Sequence, residues 1–213
     1  MKTKLARNSS KMFWTGALMG LLMLGSAGRA SANAVVAWGY NTSGQTNVPA
    51  GLTNAMAISA GMSHNLALRA NGTVVAWGYN GYGQCNLPGG LSNVLAVAAG
   101  HNFSLALRKD GGVVAWGDNG YSQCNVPVGL TNVVAIAGGW SHSLALKSDG
   151  TVVAWGYNWA NVPSGLSNVV AIAAGEEFSL ALRADGTVVE WGNSFGAMPS
   201  GLDNVVAIVS KYR

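Results

Sequence analysis

The sequence predicts an all-β protein, a β-propeller of four-stranded antiparallel blades. Five Trp-Gly pairs recur along the chain, and their tryptophans stand 39, 39, 39 and 36 residues apart. A fixed period near 40 indicates that each repeat is one supersecondary unit. An Asn-Gly or Asp-Gly pair separates two apolar runs in every full repeat, which predicts a tight β-hairpin. Repeated units of four short antiparallel strands are typical of propeller blades. The tryptophans are Trp38, Trp77, Trp116, Trp155 and Trp191.

Residues 1–32 precede the repeats and have the pattern of a secretory signal peptide. A basic stretch leads into an apolar run from Met12 to Gly25, and Ala30 to Ala32 form a small-residue cleavage site. The apolar run has 14 residues, fewer than the ~20 that a membrane-spanning helix needs. We therefore expect an exported protein, secreted, periplasmic or on the cell surface, with the repeats in residues 33–213. An uncleaved membrane anchor is the alternative.

Removal of this segment changes the charge of the chain. Five of the 12 basic residues lie in it and none of the 8 acidic residues does, so 7 basic and 8 acidic residues remain. A nucleic-acid-binding protein needs a basic surface. The nearly equal numbers of basic and acidic residues therefore argue against a nucleic-acid partner. Separately, no segment after residue 32 is apolar enough to span a membrane.

The four strands of a repeat are labelled a to d in chain order. Strand a is a short apolar run such as "VVAIAAG", strand b alternates as in "SLALR", and strand c is "VVAWG". Strand d is expected before each of the five prolines, because proline suits an edge strand or a strand end. We expect each tryptophan to fill the gap between neighbouring blades as part of a structural core. The glycines that follow strand a keep the same step and belong to this core; they are Gly61, Gly100, Gly139 and Gly175.

The order of strands predicts about four full blades and two partial ones. The chain opens on strands c and d, passes through four full sets and ends inside a fifth strand a. A composite blade made from the two ends would lack strand b, so a closed ring is not expected. A fragment of a longer propeller, an open arc, or an arc completed by a second copy all remain open. The unpaired edges of an arc would favour self-association.

The repeat resembles that of the regulator of chromosome condensation family. The stretch "AAGHNFSLALRKDGGVVAWGDNGYSQ" has the family's spacing of a glycine, an alternating strand, a turn glycine, a Trp-Gly pair and a later glutamine. The resemblance implies a β-propeller, commonly of seven blades. The compact unit is closest in style to exported bacterial members such as beta-lactamase inhibitor protein II. Inhibition of a secreted enzyme follows from this likeness only by analogy.

One face of the predicted propeller varies between repeats and is the candidate partner face. In an up-and-down blade the a–b and c–d loops share one face, whereas the other face repeats the same turns. Aromatic side chains with a few charges suit a protein-binding surface. Tyr40, Tyr79 and Tyr157 recur, so packing against their own blade remains the alternative for them. The candidate binding residues are Tyr82, Asp118, Tyr121, Trp140, Trp159, Glu176, Glu177 and Phe195.

The sequence gives no support to an enzyme. His64 and His142 occupy a repeat position that phenylalanine fills in the other copies, and His101 stands alone in a variable loop. No metal-ligand spacing, paired acids or Ser-His-Asp set is present. We therefore expect no catalytic residue, cofactor or metal. Cys85 and Cys124 share one repeat position, and we expect free thiols or bridges between molecules.

These observations predict an exported, non-catalytic protein-binding module with an unidentified protein partner. A structural or spacer region of a larger extracellular protein is the alternative. A saturable partner in the secreted fraction would separate the two.

Overall fold

The computed structural model describes residues 34–157, 160–193, 198–199 and 202–210, together with the backbone of residues 19–24. All regular elements of this part are β-strands. They are β1 Met19–Leu24, β2 Ala34–Gly39, β3 Ala55–Ala60, β4 His64–Arg69, β5 Val74–Gly78, β6 Val94–Ala99, β7 Phe103–Arg108, β8 Val113–Gly117, β9 Val133–Gly138, β10 His142–Lys147, β11 Val152–Gly156, β12 Val169–Ala174, β13 Phe178–Arg183 and β14 Val188–Gly192.

Strands β3 to β14 form four antiparallel sheets of the same kind, which are the blades. Their orders are β3-β4-β5, β6-β7-β8, β9-β10-β11 and β12-β13-β14, so each sheet is an a–b–c meander. The second residue of strand b lies opposite the tryptophan of strand c, as Ser104 lies opposite Trp116. Strand a of each blade contacts strand a of the next. The predicted all-β propeller-type fold is confirmed.

The fourth strand that the sequence predicts for each blade does not form among the described residues. The segment after strand c, such as "YNGYGQCN" from Tyr79, is a series of turns closed by its own polar side chains. Asn80 Oδ1 accepts the Cys85 N–H at 2.8 Å, and its Nδ2 donates to Asn86 Oδ1 at 2.8 Å. Asparagine side chains that bond nearby backbone in this way compete with strand pairing. The segment therefore needs no neighbouring strand.

A β-bulge near the start of strand a also repeats in every blade. The register of β6 against β7 shifts between Val94 and Ala96, so Leu95 has no partner opposite it. Such a bulge bends the strand and turns the extra side chain away from the ladder. The residues at this position are exposed apolar side chains: Met56, Leu95, Val134 and Val170.

The hydrophobic core lies between neighbouring blades. One cluster combines Leu66 and Leu68 of β4 with Val94 of β6, Ala106 of β7 and Trp116 of β8. Equivalent clusters surround Trp155 and Trp191. Because each core is shared by two adjacent blades, stability is expected to grow with the number of neighbours.

The two ends of the described chain differ from the full blades. Residues 205–210 form no strand, although Val205 donates its N–H to Gly186 O at 3.1 Å as Val94 does to Gly72 O at 3.2 Å. The expected fifth strand a is therefore absent, because no described segment lies beside it as strand b. At the other end, β1 pairs with β2 in the register of strand b, with Gly20 opposite Trp38. The cleaved signal peptide stays a prediction.

Candidate protein-binding face

The a–b and c–d loops lie on the same face of each blade. The first residue of the c–d loop donates its N–H to a carbonyl oxygen of the a–b loop. Tyr79 donates to Ser63 O at 2.7 Å, and Asp118 donates to Asn102 O at 2.9 Å. We call the surface made by these two sets of loops the loop face.

The opposite surface, which we call the turn face, consists of the b–c turns and the segments that lead into strand a. Lys109 in a b–c turn donates its N–H to Asn93 O at 2.8 Å. Asn93 adopts a positive φ of 54°, and an asparagine stands at a similar φ before each strand a. Asparagine tolerates this left-handed conformation. The turn face is therefore built from the same main-chain arrangement in each blade.

Hydrogen bonds between neighbouring a–b loops align four variable residues in a row. Met62 N donates to His101 O at 3.3 Å, His101 N donates to Gly139 O at 3.1 Å, and Trp140 N donates to Glu176 O at 3.3 Å. The row runs across all four blades. Its backbone is fixed by the scaffold, whereas its side chains differ from blade to blade.

Aromatic rings on the loop face meet across blade boundaries. The His101 and Trp140 rings stack with centroids 5.1 Å apart and an interplanar angle of 27°. Tyr121 and Tyr157 meet edge to face, with centroids 4.9 Å apart. Trp140 is nevertheless 37% exposed and Tyr121 is 53% exposed. These rings are held in place but remain accessible.

The structure brings six of the eight candidate binding residues to the loop face. Tyr82, Tyr121 and Trp140 are exposed, and Asp118, Glu176 and Glu177 are half-buried. The recurrent Tyr40, Tyr79 and Tyr157 are also exposed on this face, so they add to its aromatic surface. Trp159 and Phe195 lie outside the described residues.

Charge is distributed unequally between the two faces. Within the described residues, the loop face has three charged side chains, all acidic: Asp118, Glu176 and Glu177. All five lysine and arginine residues of the described part lie at the ends of strands b or in the turns that follow: Arg69, Arg108, Lys109, Lys147 and Arg183. The two ion pairs found in this part, Arg108 with Asp110 and Lys147 with Asp149, also belong to the turn face.

The repeated tryptophans connect adjacent blades through buried hydrogen bonds. Trp116 Nε1 donates to Gln84 O at 2.9 Å, and Ser104 Oγ donates to the same oxygen at 2.9 Å. Gln84 is fully buried in the turn of the preceding blade. Trp77 and Trp155 bond Gln45 O and Gln123 O in the same way. Sequence reasoning missed these glutamines as structural residues, although each occupies a fixed repeat position.

Two tryptophans depart from this pattern. Trp191 is 8% exposed, but its Nε1 has no partner among the described residues. The preceding turn, "YNWANVP", is three residues shorter than the others and contains no glutamine. Trp38 is 53% exposed, so its assignment to the structural core is corrected. No blade precedes it in the described part of the chain to cover the ring.

The glycines after strand a make room for the ring that follows three residues later. A Cβ atom at Gly100 would overlap the Phe103 ring, and one at Gly139 would overlap the His142 ring. Gly61 and Gly175 face His64 and Phe178 in the same way. A side chain at these positions would displace a buried ring.

The histidines and cysteines are placed as structural groups. His64 Nε2 lies 3.0 Å from Ser104 Oγ in the next blade, and burial lowers the pKa of His64 to about 4. His142 Nε2 lies 2.9 Å from Ser179 Oγ, and burial lowers its pKa to about 4 as well. Both imidazoles are therefore neutral at neutral pH. In the described part of the chain, no three His, Cys, Asp or Glu side chains are grouped to hold a metal ion.

Both cysteines are free thiols in the c–d turns. Cys124 Sγ donates to Asp118 O at 3.2 Å, and Cys85 Sγ donates to Tyr79 O at 3.4 Å. Burial, with the Asp118 charge, raises the pKa of Cys124 to about 12. Burial raises the pKa of Cys85 to about 11. Thiols in this state are weak nucleophiles at neutral pH.

Solved structures of the same architecture resemble this chain over most of its length. The entire ectodomain of the Physcomitrella patens receptor kinase CR4 superposes with a TM-score of 0.71 at 25% identity, covering 91% of this chain and 54% of that one. Yeast RCC1 (Prp20), solved with Kap60, gives a TM-score of 0.68 at 24% identity, covering 83% of this chain and 54% of that one. This chain thus spans about half the length of either.

A third structure, the CRINKLY WD40 ectodomain of the Arabidopsis thaliana receptor kinase ACR4, gives a TM-score of 0.68 at 23% identity over 91% of this chain and 70% of that one. No curated protein matches the sequence. In the part that the structure describes, no helix has the length and hydropathy needed to cross a membrane. The likeness to exported bacterial members stays a prediction.

The family model of the regulator of chromosome condensation (RCC1) repeat matches four stretches that together make up more than half of the chain: residues 57–84, 94–123, 133–158 and 169–196. Each stretch spans strands b and c of one blade and the Trp-Gly pair. The resemblance expected from the sequence is confirmed, and the chain belongs to the RCC1-repeat family.

Proposed function

We propose that this chain is an exported, non-catalytic protein-binding module whose loop face receives a protein partner. The observation that carries the proposal is the row of variable residues 62, 101, 140 and 176 on a hydrogen-bonded main-chain frame. The frame is shared by the blades, whereas the side chains on it are not. A rigid scaffold that presents variable loops is a common basis for recognition.

The side chains of the loop face support this function. Trp140 and Tyr121 are exposed and already ordered by ring contacts with His101 and Tyr157. Ordered aromatic side chains offer large contact area with little further loss of entropy on binding. Such residues commonly dominate the binding energy of protein interfaces.

The comparisons support the class of function only. Two of the similar structures are ectodomains of plant receptor kinases, and yeast RCC1 was solved bound to Kap60. Export of the present chain rests on the signal-type pattern of residues 1–32. N-terminal sequencing of the secreted product should therefore begin at Asn33, and retention of Met1 would contradict cleavage.

The test of binding uses the chain recovered after export, with residues 33–213 complete, as immobilised bait for the secreted fraction of its source. We expect a saturable partner that is lost when Tyr121 and Trp140 are both changed to alanine. Val128→Ala is the matched control, because Val128 is a fully exposed apolar residue on the turn face. Equal capture by both variants would contradict the proposal and favour the spacer role. Thermal unfolding curves must show that the double variant remains folded.

A further inference from the structure

We infer that the loop face recognises a basic protein segment, and that Trp140, Glu176 and Asp118 receive an arginine side chain from it. The inference rests on the proposed function and specifies the chemistry of the partner.

The geometry places an accessible ring beside residues that carry acidic side chains. Trp140 N is bonded to Glu176 O at 3.3 Å, so the two residues are adjacent on neighbouring blades. His101 stacks on the Trp140 ring, and Asp118 follows the strand c of the blade that carries His101. Trp140 remains 37% exposed despite this stacking.

Asp118 N donates to Asn102 O at 2.9 Å, so Asp118 lies beside the a–b loop that carries His101. Burial lowers the pKa of His101, while the charges of Glu176 and Asp118 oppose this by raising it. Both effects agree with the backbone contacts, which place Glu176 next to Trp140 and Asp118 next to the loop of His101. The ion pairs of the described residues lie on the turn face, so this acidic charge is not compensated by a lysine or arginine there.

An arginine side chain matches this set of groups. Its guanidinium can lie on an indole face, where the ring quadrupole attracts a cation. It can also donate charge-assisted hydrogen bonds to a carboxylate. The wider face adds the Glu177 carboxylate and no basic side chain among the described residues. Complementary charge of this kind favours a basic partner and disfavours an acidic one.

The probe is a nona-arginine peptide, with nona-glutamate as its opposite-charge control. Each is titrated against the chain recovered after export, with residues 33–213 complete, at low and at physiological salt. We expect saturable binding of nona-arginine alone, weakened by added salt. Glu176→Gln, Asp118→Asn and Trp140→Ala should each weaken it about threefold to tenfold. Asp203→Asn removes one exposed acidic charge from the turn face and should leave the affinity unchanged.

Two results would overturn the inference. One is no saturable binding of nona-arginine. The other is an equal loss of affinity in Glu176→Gln and Asp203→Asn, which would mean attraction by net charge alone. Glu176→Gln keeps the test valid if Trp140→Ala does not fold.

The inference and the proposed function fail in different ways. Capture of a natural partner that depends on Tyr121 and Trp140, without binding of nona-arginine, would reject the basic partner and keep the binding module. Capture that does not depend on the loop face would reject both.

Discussion

The indole Nε1 of Trp116 donates a 2.9 Å hydrogen bond to the backbone carbonyl oxygen of Gln84 in the preceding blade. Both residues are buried, so the bond is shielded from water. An unpaired buried polar group is costly. The bond therefore links the folding of one blade to the turn conformation of its neighbour.

Trp116→Phe should destabilise the chain by about 1 kcal/mol more than Trp191→Phe, because of these two tryptophans Trp116 alone has an acceptor for its indole N–H among the described residues. Both tryptophans are 8% exposed, so the two changes remove similar packing. Urea unfolding followed by circular dichroism measures the difference. Equal losses would show that the bond to Gln84 contributes nothing to stability.

Acid should destabilise the chain through its two buried histidines. The folded pKa values of His64 and His142 are about 4, below the ordinary value of about 6.5. The unfolded chain therefore binds protons first. The contribution of the two neutral histidines to the free energy of unfolding is fully present above pH 6.5. It is lost as the pH falls towards 4, by on the order of 3 kcal/mol for each histidine.

The matched variant for this pH effect is His64→Phe with His142→Phe, since Phe103 and Phe178 fill the same position in the other blades. Unfolding free energies measured between pH 7 and pH 4 should fall less steeply in the double variant. The same slope in both proteins would show that other groups cause the acid sensitivity.

A methyl group at Gly100 should displace the Phe103 ring, because a Cβ atom there overlaps it. We expect Gly100→Ala to cost about 1–3 kcal/mol, the usual range for overpacking. Gly89→Ala is the control, because a Cβ at Gly89 meets no atom within 4 Å. Thermal unfolding should separate the two variants. A Gly100→Ala chain as stable as the control would mean that the ring moves without cost.

Both thiols should react slowly in the folded chain. At pH 8 a thiol with a pKa of about 12 or about 11, as at Cys124 and Cys85, is almost entirely protonated. A chromogenic disulfide reagent should label Cys124 in a Cys85→Ser variant more slowly than Cys85 in a Cys124→Ser variant. Labelling in urea measures how fast the reagent reacts with the same thiol in the unfolded chain. Folded and unfolded rates that coincide would contradict the buried environment.

The sequence pattern was sufficient for strands a, b and c and for the hairpin between b and c. Three signals predicted these elements: the alternation of apolar residues, the Asn-Gly and Asp-Gly turns, and the period of the tryptophans. These elements pair with their neighbours in the chain, so local signals are enough to predict them. The absence of strand d from the described residues could not be predicted from the apolar pattern, because Asn80 and its equivalents satisfy the backbone from within the turn. The bonds that Trp116 and Ser104 donate to Gln84 O could not be predicted either, because their acceptor is a main-chain oxygen, which every residue has.

The sequence predicted which loops form the candidate face, but not which side chains touch each other on it. Blade topology alone placed the a–b and c–d loops together. The stack of His101 on Trp140 joins residues 39 positions apart on neighbouring blades, and the repeat pattern does not say which side chains meet across that boundary. The exposure of Trp38 depends on which neighbour covers it rather than on its repeat position.

The carbonyl oxygen of Gln84 is an acceptor that no point mutation can delete, since every residue has one. Blade junctions of this kind tolerate sequence drift as long as the turn keeps its shape. Gene duplication or deletion of one whole 39-residue unit would give a new junction with the same bonds. Such a chain can change its length by recombination and vary its loops by mutation, and the two kinds of evolutionary change remain largely independent.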